Sequence, residues 1–215
     1  MELNLDFAFK ARYQKIGEIH SETTDIWFVL HGYGQLSQYF IKKFESIYGQ
    51  KQCIIAPEGL SRFYINGFSG RVGATWMTKE DRLSDISNYL NYLNAVYQNE
   101  MQSVDVDAVK IHLLGFSQGT ATVTRWALQP QIQFDRLILW AGTLPHDLDP
   151  AVGQAVFKDK QLVVVYGDQD EFITENRVAQ QRALLKSLKL RPLEIVYKGG
   201  HDIDPPTLKK ISSAY

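Results

Sequence analysis

Ser117 sits in the stretch LLGFSQG, where an apolar run passes into two glycines that bracket a serine and then into a helical stretch with almost no turn between. Without a Cβ, Gly115 and Gly119 let strand and helix approach closely, and so tight a corner pushes the Ser117 hydroxyl out beyond the end of the strand. A serine hydroxyl is a poor nucleophile near neutral pH. Acyl transfer through it requires a general base and a carboxylate that orients the base. Downstream, VVVYGDQDEF sets Asp168 and Asp170 directly after one apolar run, with Glu171 next in the chain, and IVYKGGHDI sets His201 directly after the next run. His201 alone among the five histidines follows the acids, follows a strand and lies in a glycine-rich loop. Spacing by itself leaves the choice between the two aspartates open.

The tetrahedral intermediate of acyl transfer also needs hydrogen-bond donors for its oxyanion, a contribution of about 3 kcal/mol each. Gln118 offers a main-chain N–H at the start of the helix. The loop HGYG after WFVL, kept open by Gly32 and Gly34, is the place for a second. The remaining histidines read otherwise: His31 as a brace for that loop, His112 as a core residue within an apolar strand, His20 as a surface turn residue, and His146 as a loop residue bordering the site. No carboxylate or cysteine accompanies His112 at metal-ligand spacing and a single cysteine excludes a cysteine-based zinc site, so neither a metal nor a cofactor is expected.

The elements that would position these residues are legible as short apolar runs: IWFVL from Ile26, CIIA from Cys53, IHLLG from Ile111, LILWAG from Leu137, LVVVYG from Leu162 and the weaker LEIVY from Leu193. Nearly continuous apolar strands separated by helical stretches are what a parallel sheet covered on both faces requires. Helical spacing appears from Ser37 to Tyr48, from Lys79 to Tyr97 and from Gln118 to just before Pro130. It appears again after Thr174, which reads as an N-cap, and after Asp204 before Pro205 and Pro206. Ahead of these, Leu3, Leu5, Phe7, Phe9, Ala11 and Tyr13 alternate with polar residues, which predicts one bent strand or two short ones at an antiparallel edge. The 215 residues then form one doubly wound α/β domain over 1–215, without internal repeat or linker.

Composition bounds the partners. A formal charge of −1 with interspersed lysines, arginines and acids offers no basic face for nucleic acid and no polybasic anchor for lipid. Cys53, the single cysteine, excludes an internal disulfide and reads as a small buried hydrophobe. The N-terminus lacks the layout of a signal peptide and no run is long enough to span a bilayer, so the expectation is a cytoplasmic protein, monomeric or homodimeric.

VLHGYG, APEG, LLGFSQG, YGDQDEF and GGHDI, in this order from Ile26 to Ile203, resemble the phospholipase/carboxylesterase family of α/β hydrolases, which includes the acyl-protein thioesterases. The resemblance implies an α/β-hydrolase fold with a mostly parallel sheet, an antiparallel N-terminal edge and no large cap. It carries the nucleophile to Ser117, the acid to Asp170 and the base to His201, and it puts the second oxyanion donor at the N–H of Tyr33 beside that of Gln118. Glu171 departs from the family, which usually has proline or a small residue after the acid.

From Arg62 to Met77 the chain is too long and too aromatic for an ordinary connection, and Phe63, Tyr64, Phe68 and Trp76 must be placed somewhere. Phe63, Tyr64 and Trp76, with Leu144 after LILWAG, are the expected walls of an acyl pocket. The expected reaction is hydrolysis of a small-molecule ester or thioester with an apolar acyl group. The competing readings are a ligand-binding protein that keeps the hydrolase fold, and a hydrolase of lactones or activated C–C bonds.

Overall fold

The structure, a computed structural model, describes Met1 and residues 3–213. Seven strands form one sheet: β1 (Tyr13–Ile16), β2 (Asp25–Leu30), β3 (Gln52–Pro57), β6 (Lys110–Phe116), β7 (Arg136–Trp140), β8 (Gln161–Gly167) and β9 (Leu193–Tyr197), in the order β1-β3-β2-β6-β7-β8-β9. Every neighbouring pair is parallel except β1 with β3. All six predicted apolar runs are strands, and β2, β6 and β7 are buried along nearly their whole length, as residues covered on both faces must be.

Helices lie on both faces: α1 (Ser37–Phe40) continuing into a 3₁₀ stretch (Ile41–Ile47), α2 (Arg82–Met101), α3 (Gln118–Ala127), α4 (Pro150–Phe157), α5 (Glu175–Ser187) and α6 (Pro205–Ser213). One apolar layer, with Phe28, Leu113, Trp126 and Leu139, lies between the sheet and α2 and α3. The other, with Trp27, Phe40, Leu114, Trp140 and Leu208, lies under α1 and α6. Thr174 and Asp204 cap α5 and α6 through the N–H groups of Arg177 and Thr207. Among the described residues no helix is long and apolar enough to cross a membrane.

Two expectations are corrected. Leu3 to Phe9 form no strand; pairing begins only at Tyr13, opposite Pro57, because β3 ends there and nothing lies beside the chain further out. The aromatic stretch after Arg62 is a hairpin of β4 (Ser61–Tyr64) and β5 (Val72–Thr75) rather than an irregular loop. The connection after β7 carries the short helix α4, opened by Pro150; Asp149 caps it by accepting from the N–H groups of Ala151 and Val152. Among the described residues nothing larger than α4 is inserted in that connection.

Candidate active site

The corner between β6 and α3 is built as its glycines predict. A Cβ on Gly119 would lie 2.4 Å from the Leu30 carbonyl oxygen, and one on Gly115 would lie 2.3 Å from that of Gly119, so only glycine permits this approach. Ser117 takes φ 53° and ψ −115°, a strained conformation for a residue with a side chain. Its N–H donates to the Trp140 carbonyl at 2.8 Å, which ties the corner to the end of β7.

Gln118 adds a second tie that its expected main-chain role did not include. Its side-chain amide donates to the Thr75 hydroxyl and the Met77 carbonyl, both at 2.9 Å, and accepts from the Trp76 N–H at 3.2 Å. The hairpin's last strand is thereby stapled to the first turn of α3.

Asp170 and His201 arrive on the loops that follow successive strands, β8 and β9. Asp170, in the loop after β8, accepts the Phe172 N–H on Oδ1 at 2.9 Å, and its Oδ2 lies 2.8 Å from His201 Nδ1. A carboxylate on that side makes Nδ1 the protonated nitrogen and leaves the Nε2 lone pair free to accept a proton. The imidazole lies between Phe116 and Phe172, with ring centroids at 4.9 and 4.6 Å, and so packs directly on the residue that precedes Ser117. Its loop is held by Trp140 Nε1, which donates to the Asp202 carbonyl at 2.9 Å, and by the Tyr197 hydroxyl, which reaches the Gly200 carbonyl at 2.8 Å.

Asp168 does something else. It accepts the Gly199 N–H at 3.0 Å, bracing the loop that carries His201 rather than its own turn. The Ser117 hydroxyl makes no hydrogen bond to a described residue. In unliganded hydrolases the serine–histidine bond is often long and closes with substrate.

The loop after β2 supplies the other side of the site. A Cβ on Gly32 would sit 3.1 Å from that of Ser117. In this loop the N–H groups of Gly32, Gly34 and Gln35 are all used, by the Gln35 side chain, Ala74 and Gly32 respectively. The N–H groups of Tyr33 and Gln118 have no partner among the described residues.

His31 is the brace of this loop: Nδ1 donates to the Gly32 carbonyl at 2.8 Å, and Nε2 accepts the Gly59 N–H at 2.9 Å. Burial pulls its pKa down to about 4, so it is neutral where the loop is intact. Below the ordinary histidine range the unfolded chain takes up a proton that the folded one refuses, so stability is complete above about pH 6.5 and falls as pH drops toward 4. The loss expected over that window is on the order of 3 kcal/mol. Urea midpoints measured against pH check this: His31→Gln should flatten the acid limb.

Glu58, which the sequence reading counted only as part of APEG, organises the same side. It is buried, and its carboxylate accepts from Arg12 Nε at 2.7 Å, Arg62 Nε at 2.8 Å, and the N–H and hydroxyl of Ser37 at 3.1 and 3.0 Å. Burial opposes its ionisation, but these donors outweigh it and hold the carboxyl below the usual range. One acid thus ties β1, the hairpin and the start of α1 together behind the loop. A charged residue closing an apolar strand was the available signal. Glu58→Gln should cost about 2–3 kcal/mol, because charge-assisted bonds become neutral ones while both arginines keep access to water; chemical denaturation measures it.

Of the expected pocket walls, Phe63 lies on β4 with its ring 5.0 Å from that of Tyr33, and Tyr64 is half exposed beside it. Trp76 and Leu144 are instead buried in the core. Trp76 Nε1 donates to the His31 carbonyl at 2.8 Å, a partner that an indole N–H needs when buried, and Leu144, in the loop after β7, belongs to the same apolar layer as Trp76. Phe68, at the hairpin tip, stands free in solvent. Phe172, which the sequence reading passed over, leaves half of its ring exposed beside His201. His146 is exposed; the adjacent Asp147 is held by Arg125 and Arg82, both at 2.7 Å.

A family model described as Phospholipase/Carboxylesterase matches residues 12–214. The chain belongs to the phospholipase/carboxylesterase family. Solved structures agree on the fold of this family member. Acyl-protein thioesterase 2 of Zea mays superposes with a TM-score of 0.72 at 16% identity, covering 95% of this chain and 97% of its own. Esterase PE8 follows with 0.69 at 17% identity over 96% and 98%. SOBER1 of Arabidopsis thaliana gives 0.67 at 17% identity over 89% and 96%. No curated protein sequence matches the chain. Membership of this family marks the chain as an esterase-type α/β hydrolase, and the solved neighbours share its fold.

Proposed function

We propose that this chain is a serine hydrolase that cleaves carboxylic esters or thioesters carrying an apolar acyl group of short to medium length, through an acyl-enzyme on Ser117. The observation that carries the reading is the Asp170–His201 pair, packed on the residue before a strained serine, with two unpartnered N–H groups on the adjoining turns.

His201 Nε2 takes the Ser117 proton as Oγ bonds to the acyl carbon, and the carbonyl π electrons move to its oxygen. The N–H groups of Tyr33 and Gln118 hold that oxyanion. When it collapses, the bond to the alkoxide or thiolate breaks and the leaving group departs with the proton from His201. Water, deprotonated by the same nitrogen, then releases the acid and restores Ser117. Asp170 keeps Nδ1–H in place and offsets the imidazolium charge. The scheme uses only side chains and main chain of this protein.

The apolar surfaces left open beside the site are the rings of Tyr33, Phe63 and Phe172. A methylene moved from water against such surface is worth about 0.8 kcal/mol, so kcat/KM for nitrophenyl esters should rise roughly fourfold per added carbon until the surface is covered. A series from two to sixteen carbons measures this; a flat series would leave the apolar-acyl assignment without support. A wild-type protein inert to both these esters and a fluorophosphonate probe would favour a ligand-binding role on the same fold.

A further inference from the structure

The segment ahead of β1 has a use that hydrolysis does not explain. Leu3, Leu5, Phe7 and Phe9 are 78%, 87%, 75% and 55% exposed, and the rings of Phe7 and Phe9 lie 6.4 Å apart, the rise of about two residues of extended chain. From Leu3 to Ala11 no backbone N–H or C=O finds a partner among the described residues. At Arg12 the chain is fastened, by its guanidinium to Glu58 and by its carbonyl to the Tyr92 hydroxyl. It then becomes β1, whose outer edge is free because β1 is the last strand of the sheet.

We infer that this arm is a dimerisation strand, and that its partner is the same arm of a second copy, paired antiparallel about a two-fold axis at Ala8. In this register Leu3 stands opposite Tyr13, Leu5 opposite Ala11 and Phe7 opposite Phe9, twice over by symmetry. On the other face Asn4 meets Arg12, Asp6 meets Lys10, and Ala8 meets its own mate. Every apolar side chain then faces an apolar one, and every Asp6 a lysine.

Competing registers do worse. Sliding by two residues one way sets Leu3 against Lys15, and the other way sets Asp6 against Ala8. A slip of one residue puts the whole apolar row against the polar one. A lipid surface fits less well, because an extended segment there would bring its unpaired backbone groups into an apolar medium. Strand pairing satisfies those groups and the charges together, and the ribbon continues from the sheet edge, which gives it the support that an isolated hairpin lacks.

Sedimentation velocity across the micromolar range tests this. The 215-residue chain is expected at twice its 24.6 kDa mass. Deletion of residues 1–10, which spares Arg12, and the pair Leu5→Asp with Phe7→Asp should both run as monomers. Register is read by oxidation of single-cysteine additions, since Cys53 is fully buried. Ala8→Cys should cross-link to its mate, whereas Leu5→Cys, displaced by about 20 Å along the ribbon, should not. A monomeric wild type, a deletion variant that stays dimeric, equal cross-linking at both positions, or a monomer that floats with phosphatidylcholine vesicles would each overturn the inference. None of these outcomes touches the hydrolase reading, because esterase activity is measured separately in the same variants.

Discussion

Replacing Ser117 by alanine should abolish both labelling by a fluorophosphonate and turnover of nitrophenyl esters, with kcat falling about 10⁶-fold. The size of the effect follows from the role. Without Oγ no acyl-enzyme forms, and what remains is substrate held near the N–H groups of Tyr33 and Gln118 while water attacks unaided. That residue of catalysis is about 10³ over solution, the part owed to oxyanion stabilisation and binding. The fold should not suffer, because the Ser117 hydroxyl bonds to no described residue and loses none by its removal. An unchanged urea midpoint alongside lost labelling separates chemistry from misfolding. Labelling that persists in Ser117→Ala would place the nucleophile elsewhere and end the assignment.

The second large effect separates two aspartates. Asp170→Asn keeps the shape but replaces the carboxylate facing His201 Nδ1 with an amide, which can turn its NH₂ toward the ring, stabilise the wrong tautomer and tie up the nitrogen that must carry the proton. A loss of about 10⁴ in kcat is expected. Asp168→Asn retains a side-chain oxygen for the Gly199 N–H and should cost less than about tenfold, through looser placement of the histidine loop. Steady-state kinetics on one ester, with both variants side by side, decides the matter. If Asp168→Asn is the more damaging, the acid is misassigned whatever the geometry suggests.

Aspects of this site differ in how far they could be read in advance. The corner that carries Ser117 was legible because its cause is local: the bracketing glycines and the apolar run before them act within a few residues. The second aspartate was less so, since both acids leave the same strand and only the register of β8 against β9 sends Asp170 toward His201 while Asp168 meets Gly199. Glu58 was not read at all. Its donors come from Arg12, Ser37 and Arg62, and no spacing rule connects those positions. The aromatic hairpin shows the opposite error. Residue type predicted rings near a pocket, but an indole N–H needs a partner when buried, and Trp76 found the His31 carbonyl inside the core.

By itself the sequence determined the strands and the order of the candidate catalytic residues along the chain, because apolar periodicity and glycine placement act over short stretches of chain. Only the tertiary structure decided which acid meets the histidine, which N–H groups remain unpartnered, and that the alternating segment before Tyr13 pairs with nothing in its own chain. The physical reason is the same in each case: a hydrogen bond or a strand pairing is settled by what stands opposite, and what stands opposite is fixed by sheet order and register across long separations.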